Sequence, residues 1–213
     1  MKIEKLKNNI WVPSTDAQIE IWRENGYPHM QEKCLNQFIT WCRSQNKKFK
    51  TVIDIGAWCG TWSLSVEQFA KKIYCFEPHT VHYECLYRNT SMNEKIVSYN
   101  QAIGNNDDYI SLSVEDATQN TRVLKEKGKI KISTLDSFKF KDVDLIKIDV
   151  EGLEMEVIKG GLETISNTQY LMIELNNNSK KYGSNNNEIE TFLQKELGFR
   201  ELIKTWPDIV YFK

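Results

Sequence analysis

The residues with the most chemical capacity are acids at or near the ends of apolar runs. Asp54 lies in Thr51–Ile55, Glu77 follows Tyr74-Cys75-Phe76, Asp149 and Glu151 close Leu145–Ile148, and Glu174 follows Leu171-Met172-Ile173. Short continuous apolar runs read as strands of a parallel sheet covered on both faces. Such sheets bind ligands beyond the carboxyl ends of their strands, which is where these acids fall. Two acids as close as Asp149 and Glu151 repel one another unless a cation, a donor or a proton is near, which favours a functional pair. The two-residue period of a strand over Val143–Val150 sets Lys147, Asp149 and Glu151 on one face, opposite Ile146, Ile148 and Val150. Lys147 itself reads as the partner of a nearby acid in a structural ion pair.

The turn after the first strand says which ligand. In Thr51–Ser63, TVIDIGAWCGTWS, a dinucleotide fingerprint counted from Gly56 would need glycines at 58 and 61, where Trp58 and Thr61 stand. A P-loop would need a lysine after Gly60, and none is there. What remains is Asp-x-Gly-x-x-x-Gly, a tight turn that lets backbone approach a ligand carrying no phosphate. S-adenosylmethionine is such a ligand, with an adenosine, a sulfonium and an amino-acid head. Asp54 is expected to balance its positive charge. Glu77, at the end of the second strand, is placed to accept both hydroxyls of an adenosine ribose, as acids do in NAD sites. Gln101 and Ala102, past the third strand, fall where an adenine would lie.

These residues require an alternating framework. Strands are predicted at Val52–Ile55, Lys72–Phe76, Ile96–Ala102, Val143–Val150 and Tyr170–Leu175. Helices are predicted at Thr61–Ala70, Val81–Asn89 and Leu153–Lys159, the last stopped by Gly160-Gly161. The segment 105–132 is an insertion with short strands expected at Tyr109–Val114 and Arg122–Leu124. The chain then ends in a helix (Glu188–Leu197) and a hairpin (Phe199–Lys204, Ile209–Phe212) that adds an antiparallel strand. Residues 1–50 read as a helical cover, not an independent domain, with 51–213 forming the ligand-binding domain. Leu35, Phe38, Ile39 and Cys42 recur at the spacing of one buried helical stripe. Within that cover, Trp11–Asp16 (WVPSTD) either packs on the domain or forms a lid over the ligand mouth.

Composition bounds the rest. The 213 residues suit one domain with a sizeable core, and the net charge of -1 disfavours a nucleic-acid partner. No apolar run approaches the ~20 residues that span a bilayer, and the first residues lack the apolar core of a secretory signal, so no membrane partner and a cytoplasmic location are expected. The five cysteines form no Cys-x-x-Cys pair and read as reduced structural thiols. The three histidines offer no metal-ligand spacing.

Thr51–Ser63, Tyr74–Pro78 (YCFEP), Ser133–Phe138 (STLDSF) and above all Leu145–Gly161 (LIKIDVEGLEMEVIKGG) resemble the FkbM-type family of S-adenosylmethionine-dependent methyltransferases. The resemblance covers roughly residues 51 to 175. It implies a Rossmann-like class I methyltransferase fold: α/β, a mostly parallel seven-stranded sheet with an antiparallel last strand, and helices on both faces. It also implies O-methylation of a glycan or small-molecule acceptor. By position it implies a cofactor set of Asp54, Gly56, Ala57, Gly60, Glu77, Gln101, Ala102 and Asp149. Trp58 departs from the family pattern, in which a small or polar residue is common.

For hydroxyl methylation the first candidate for general base is Glu151 and the second Glu174, with His79 a third. Glu154 and Glu156 read as a solvated helix face. No metal is assigned, although Asp149, Glu151 and Glu174 offer oxygen ligands that suit Mg²⁺. Trp11, Trp58, Trp62 and Tyr182 offer aromatic surface to a sugar. An NAD-dependent oxidoreductase and a non-catalytic binder of an adenosine cofactor stand as alternatives.

Overall fold

The computed structural model describes residues 3–28, 33–112, 123–124, 128–176 and 178–213. Its centre is a seven-stranded sheet built from β3 (Phe49–Ile55), β4 (Ala70–Phe76), β5 (Ile96–Tyr99), β10 (Val143–Ile148), β11 (Tyr170–Glu174), β12 (Arg200–Thr205) and β13 (Asp208–Phe212). The spatial order is β12-β13-β11-β10-β3-β4-β5. All pairings are parallel except those of β13, which runs antiparallel to both neighbours. The mostly parallel sheet with one reversed strand is the architecture expected from the alternating pattern.

Strand alternation divides the core in two. Val52, Leu145, Met172 and Val210 face a cluster completed by α2 (Lys33–Ser44), α3 (Thr61–Val66) and α4 (Thr80–Thr90). Ile53, Ile55, Ile146, Ile148, Leu171 and Ile173 face the other way, against α5 (Glu154–Gly160), α6 (Leu162–Ser166) and α7 (Asn186–Thr191). A sheet buried on both sides needs these runs apolar at every position, so an acid inside one demands a partner. Asp54 finds it in Lys147. The two are directly opposed in the β3–β10 register and 3.3 Å apart.

Several boundaries differ from the sequence expectation. The third core strand stops at Tyr99, because Asn100 turns its amide to the carbonyls of Glu77 (2.9 Å) and Pro78 (3.1 Å). Ala102–Ile103 then forms β6, which joins a second sheet with β7 (Asp108–Leu112), β8 (Val123–Leu124) and β9 (Ile130–Ser133) in the order β6-β9-β7-β8. The expected strands of the insertion are β7 and β8; residues 113, 114 and 122 lie outside the described residues. The fourth strand ends at Ile148, not Val150. Asp149 still donates its N–H to Ile55 O (3.0 Å), but Glu151 turns to φ 56°, so the two-residue period does not carry past the strand end. Glu154 is not on a solvated face either: it is buried and its Oε1 accepts the Gly152 N–H at 2.8 Å.

The N-terminal residues contain helix α1 (Ile19–Asn25) and α2, which carries the expected Leu35–Cys42 stripe, preceded by a hairpin of β1 (Ile3–Lys5) and β2 (Trp11–Pro13). Trp11 is a strand residue whose backbone bonds Asn89 of α4 in both directions, at 2.8 and 2.9 Å. The WVPSTD segment therefore packs on α4 and is no free lid. Among the described residues no helix is long and apolar enough to cross a membrane.

Candidate functional site

A cavity of about 600 Å³ opens beyond the carboxyl ends of β3, β4, β10 and β11. That volume lies within the usual range for small-molecule sites. Its floor is the β3–α3 turn, where Gly56 and Ala57 both donate to Phe76 O at 3.0 Å. Gly56 has φ 79°, and a Cβ there would stand 1.7 Å from Asp149 O. Only glycine lets the ends of β3 and β10 approach so closely. Gly60 does not line the cavity; it lies under α4, where a Cβ would meet Leu86 at 2.7 Å.

At one end of the cavity lie Glu77, Pro78, Gln101, Ala102 and Ile103. Glu77 is buried. Its Oε2 accepts the Trp58 N–H at 2.9 Å and its Oε1 the His79 N–H at 2.8 Å. A carboxylate has about four lone-pair positions, so each oxygen keeps acceptor capacity toward the cavity. Gln101 is buried too, and among the described residues its Nε2 has no hydrogen-bond partner.

At the other end stand Asp149, Glu151 and Glu174, with Tyr182 beside them. Burial, then Asp149, raises the Glu151 carboxyl above the usual range, against donations to its Oε2 from Asn176 (2.8 Å) and Asn178 (2.9 Å). Glu174 is pushed up to about 9, first by burial and then by the charge of Asp149, to which it also hydrogen-bonds, with Asp208 and Glu151 adding to the effect. Asn176 also donates to Glu174 Oε1 at 3.3 Å and so ties the two glutamates together.

Between the two ends, Lys147 Nζ lies 3.3 Å from Asp54, 3.2 Å from Asp149 and 3.0 Å from Gly56 O. The expected structural ion pair is present. Asp54 is fully buried, accepts from Ser63 Oγ at 2.7 Å and is not among the residues lining the cavity. Burial raises its carboxyl, and Lys147 and Ser63 oppose that. Of the expected cofactor set, Gly56, Ala57, Glu77, Gln101, Ala102 and Asp149 share one cavity, while Asp54 and Gly60 stand behind its wall.

His79 precedes α4, its ring tilted against that of His82 with centroids 4.2 Å apart, and does not line the cavity. Trp11 does not line it either, and the Arg88 guanidinium lies over its ring at 4.5 Å. Trp62 and Tyr182 do line it.

Sequence reasoning missed the cavity roof. Gln18, Trp22 and Tyr27 reach the cavity from the N-terminal residues, and Trp58 joins them with ring centroids 5.8 Å from Trp22 and 5.6 Å from Tyr27. Trp58 adopts φ 47°, a conformation bulky residues rarely take. Its ring thus serves the attachment of the N-terminal residues. The only signal of this in the sequence was an unexpectedly large side chain in a glycine turn.

Residues 54–201 match the family model described as the methyltransferase FkbM domain. No curated protein matches the chain in sequence. Among solved structures, methyltransferase FkbM from Methylobacillus flagellatus KT is similar at TM-score 0.54 and 17% identity, over 78% of this chain and 44% of that one. The chain thus spans less than half of that relative. A putative caffeoyl-CoA O-methyltransferase from Staphylococcus aureus is similar at 0.54 and 11% identity, over 94% of this chain and 93% of that one. A putative tRNA (m1A22) methyltransferase from Streptococcus pneumoniae, in complex with S-adenosyl-L-methionine, is similar at 0.51 and 14%, over 83% and 72%. At these identities the likeness concerns the fold.

Proposed function

The chain belongs to the FkbM methyltransferase family, and from that premise we propose that it methylates a hydroxyl of a glycan or small molecule, using S-adenosylmethionine. The observation that carries the reading is the pairing, in one cavity, of the acid Glu77 with the buried Gln101 Nε2, which has no hydrogen-bond partner among the described residues. A buried donor without a partner is costly, and a ring nitrogen of adenine would satisfy it. The cavity fits the cofactor's charge as well, since its far end carries acids for the ammonium and sulfonium groups.

When bound, S-adenosylmethionine supplies a methyl group already activated on a sulfonium. The chain's own residues then have to bind, orient and exclude water. Glu77 accepts from the ribose and Gln101 Nε2 donates to the adenine, with Ala102 beside it. The Gly56–Ala57 backbone and Asp149 hold the amino-acid head. Asp149, not the enclosed Asp54, is then the acid that balances positive charge. Glu151 takes the proton of the acceptor hydroxyl, oriented by Asn176 and Asn178, and its raised proton affinity suits a base working near neutral pH. Glu174 is the second candidate for that role.

Thermal-shift titration with S-adenosylhomocysteine against NAD tests the cofactor; a shift with NAD alone overturns the reading in favour of an oxidoreductase. Transfer of labelled methyl to a panel of glycans, phenols, amines and tRNA tests the acceptor. Label on amines or RNA alone overturns the hydroxyl assignment, and cofactor binding without transfer to any acceptor supports the non-catalytic alternative.

A further inference from the structure

His82 lies on the cavity side of the first turn of α4 and is 4% exposed. Its ring is fixed on three sides. The His79 ring is 4.2 Å away, the Trp58 ring meets it edge-on at 6.3 Å, and its Nδ1 faces Glu77 Oε1 at 3.6 Å. A carboxylate facing Nδ1 favours the tautomer with hydrogen on that nitrogen, which leaves Nε2 as an acceptor. Yet Nε2 is buried and, among the described residues, has no hydrogen-bond partner. Polar atoms this deeply buried are normally satisfied, so a ligand group in the cavity is the partner the site calls for.

The neighbour that identifies this group is Glu77. Each of its oxygens already accepts one backbone N–H, from Trp58 and from His79. A ribose presents two adjacent hydroxyls, each able to donate once and accept. Resting on the adenosine-cofactor reading above, we propose that His82 is a second ribose-binding group, its Nε2 accepting one of the two hydroxyls while Glu77 takes the other. The imidazole and the carboxylate then act as a paired acceptor for a cis-diol, and the site selects ribonucleosides over deoxyribonucleosides.

The test measures the affinities of adenosine, 2′-deoxyadenosine and 3′-deoxyadenosine for the wild-type chain, His82→Phe and His82→Gln. Phenylalanine keeps the ring packed against Trp58 and removes Nε2; glutamine restores an acceptor. We expect His82→Phe to reduce the preference for adenosine over one deoxy analogue by about tenfold, the worth of one hydrogen bond, and His82→Gln to recover part of it. A preference unchanged in His82→Phe, or an equal loss for all three ligands, overturns the proposal.

A measurement on the wild type alone guards against a variant that fails to fold. The His82 Nε2 resonance should move with adenosine and stay in place with the analogue lacking the hydroxyl it accepts. Equal movement with all three ligands overturns the proposal. A wild-type chain that binds neither S-adenosylhomocysteine nor adenosine overturns the cofactor reading and this inference together. Binding of both with unaltered ribose preference in His82→Phe overturns this inference alone.

Discussion

At the end of β4, the single acid Glu77 is surrounded by donors: two backbone N–H groups reach its two oxygens. At the ends of β10 and β11, three acids face one another, and burial and then the charge of Asp149 raise the Glu174 carboxyl. Glu77 is buried and the three acids are half-buried, and both regions lie at carboxyl ends of strands of one sheet. The difference is in what neutralises the charge. The first region does so with fixed dipoles before any ligand arrives, which fits the recognition role proposed for it. The second keeps its acids in contact, with Lys147 3.2 Å from Asp149 and the two glutamates held by the Asn176 amide. A site that takes up a proton alone can give it up to a cationic ligand, which makes the second region the one suited to chemistry.

The sharpest way to break this contrast is Glu151→Gln. If the acid region does the chemistry, methyl transfer should fall by about 10²–10⁴-fold, while S-adenosylhomocysteine affinity changes little. Single-turnover rates beside equilibrium binding check this, and unchanged rates would shift the base role to Glu174. Next in size is Lys147→Met, which leaves Asp54 buried and unpaired. It should destabilise the fold by about 3–5 kcal/mol, seen in urea unfolding. Removing the charge in the recognition region, Glu77→Gln, should weaken S-adenosylhomocysteine about 10- to 100-fold, the worth of hydrogen bonds to a charged group.

The effect that is smallest per unit of pH is the pH dependence itself. Glu174 is held near 9 in the folded chain, whereas an unfolded glutamate titrates near about 4.3. The folded state therefore holds this proton more tightly. The stability it lends is complete below about pH 4.3 and is lost as pH rises through about 9, by at most about 1.4 kcal/mol per pH unit. Melting temperature should fall across that window, and Glu174→Gln should flatten the fall. Binding of a cation displaces the proton, so S-adenosylmethionine affinity should rise from pH 6 to 8, by no more than about tenfold per unit. A flat affinity profile would mean that the two regions do not differ in the way described.

Much of the molecule was legible in the chain itself. Continuous apolar runs alternating with helical periods fixed a parallel sheet with helices on both faces, and the terminal hairpin announced the reversed strand. Missing phosphate-loop glycines and the acid of Phe76-Glu77-Pro78 pointed to the phosphate-free adenosine cofactor that is proposed above. The third strand's early end was hidden, because it depends on the Asn100 amide finding the Glu77 and Pro78 carbonyls across a turn. Glu154 looked exposed because charge is usually solvated, whereas here it caps the turn at Gly152.

What the sequence determined by itself is what short-range periodicity and the chemistry of single residues can carry: the elements, their order, and acids at the strand ends. What only the tertiary structure decided is which acids share a space. Cross-strand register set Asp54 against Lys147 and withdrew it from the cavity. Backbone turning at Glu151 brought it to Asn176 and Asn178, and a tryptophan at φ 47° joined the N-terminal residues to the cavity roof. Each of these joins residues far apart in the chain, and such pairings depend on how the elements pack, which local sequence does not encode.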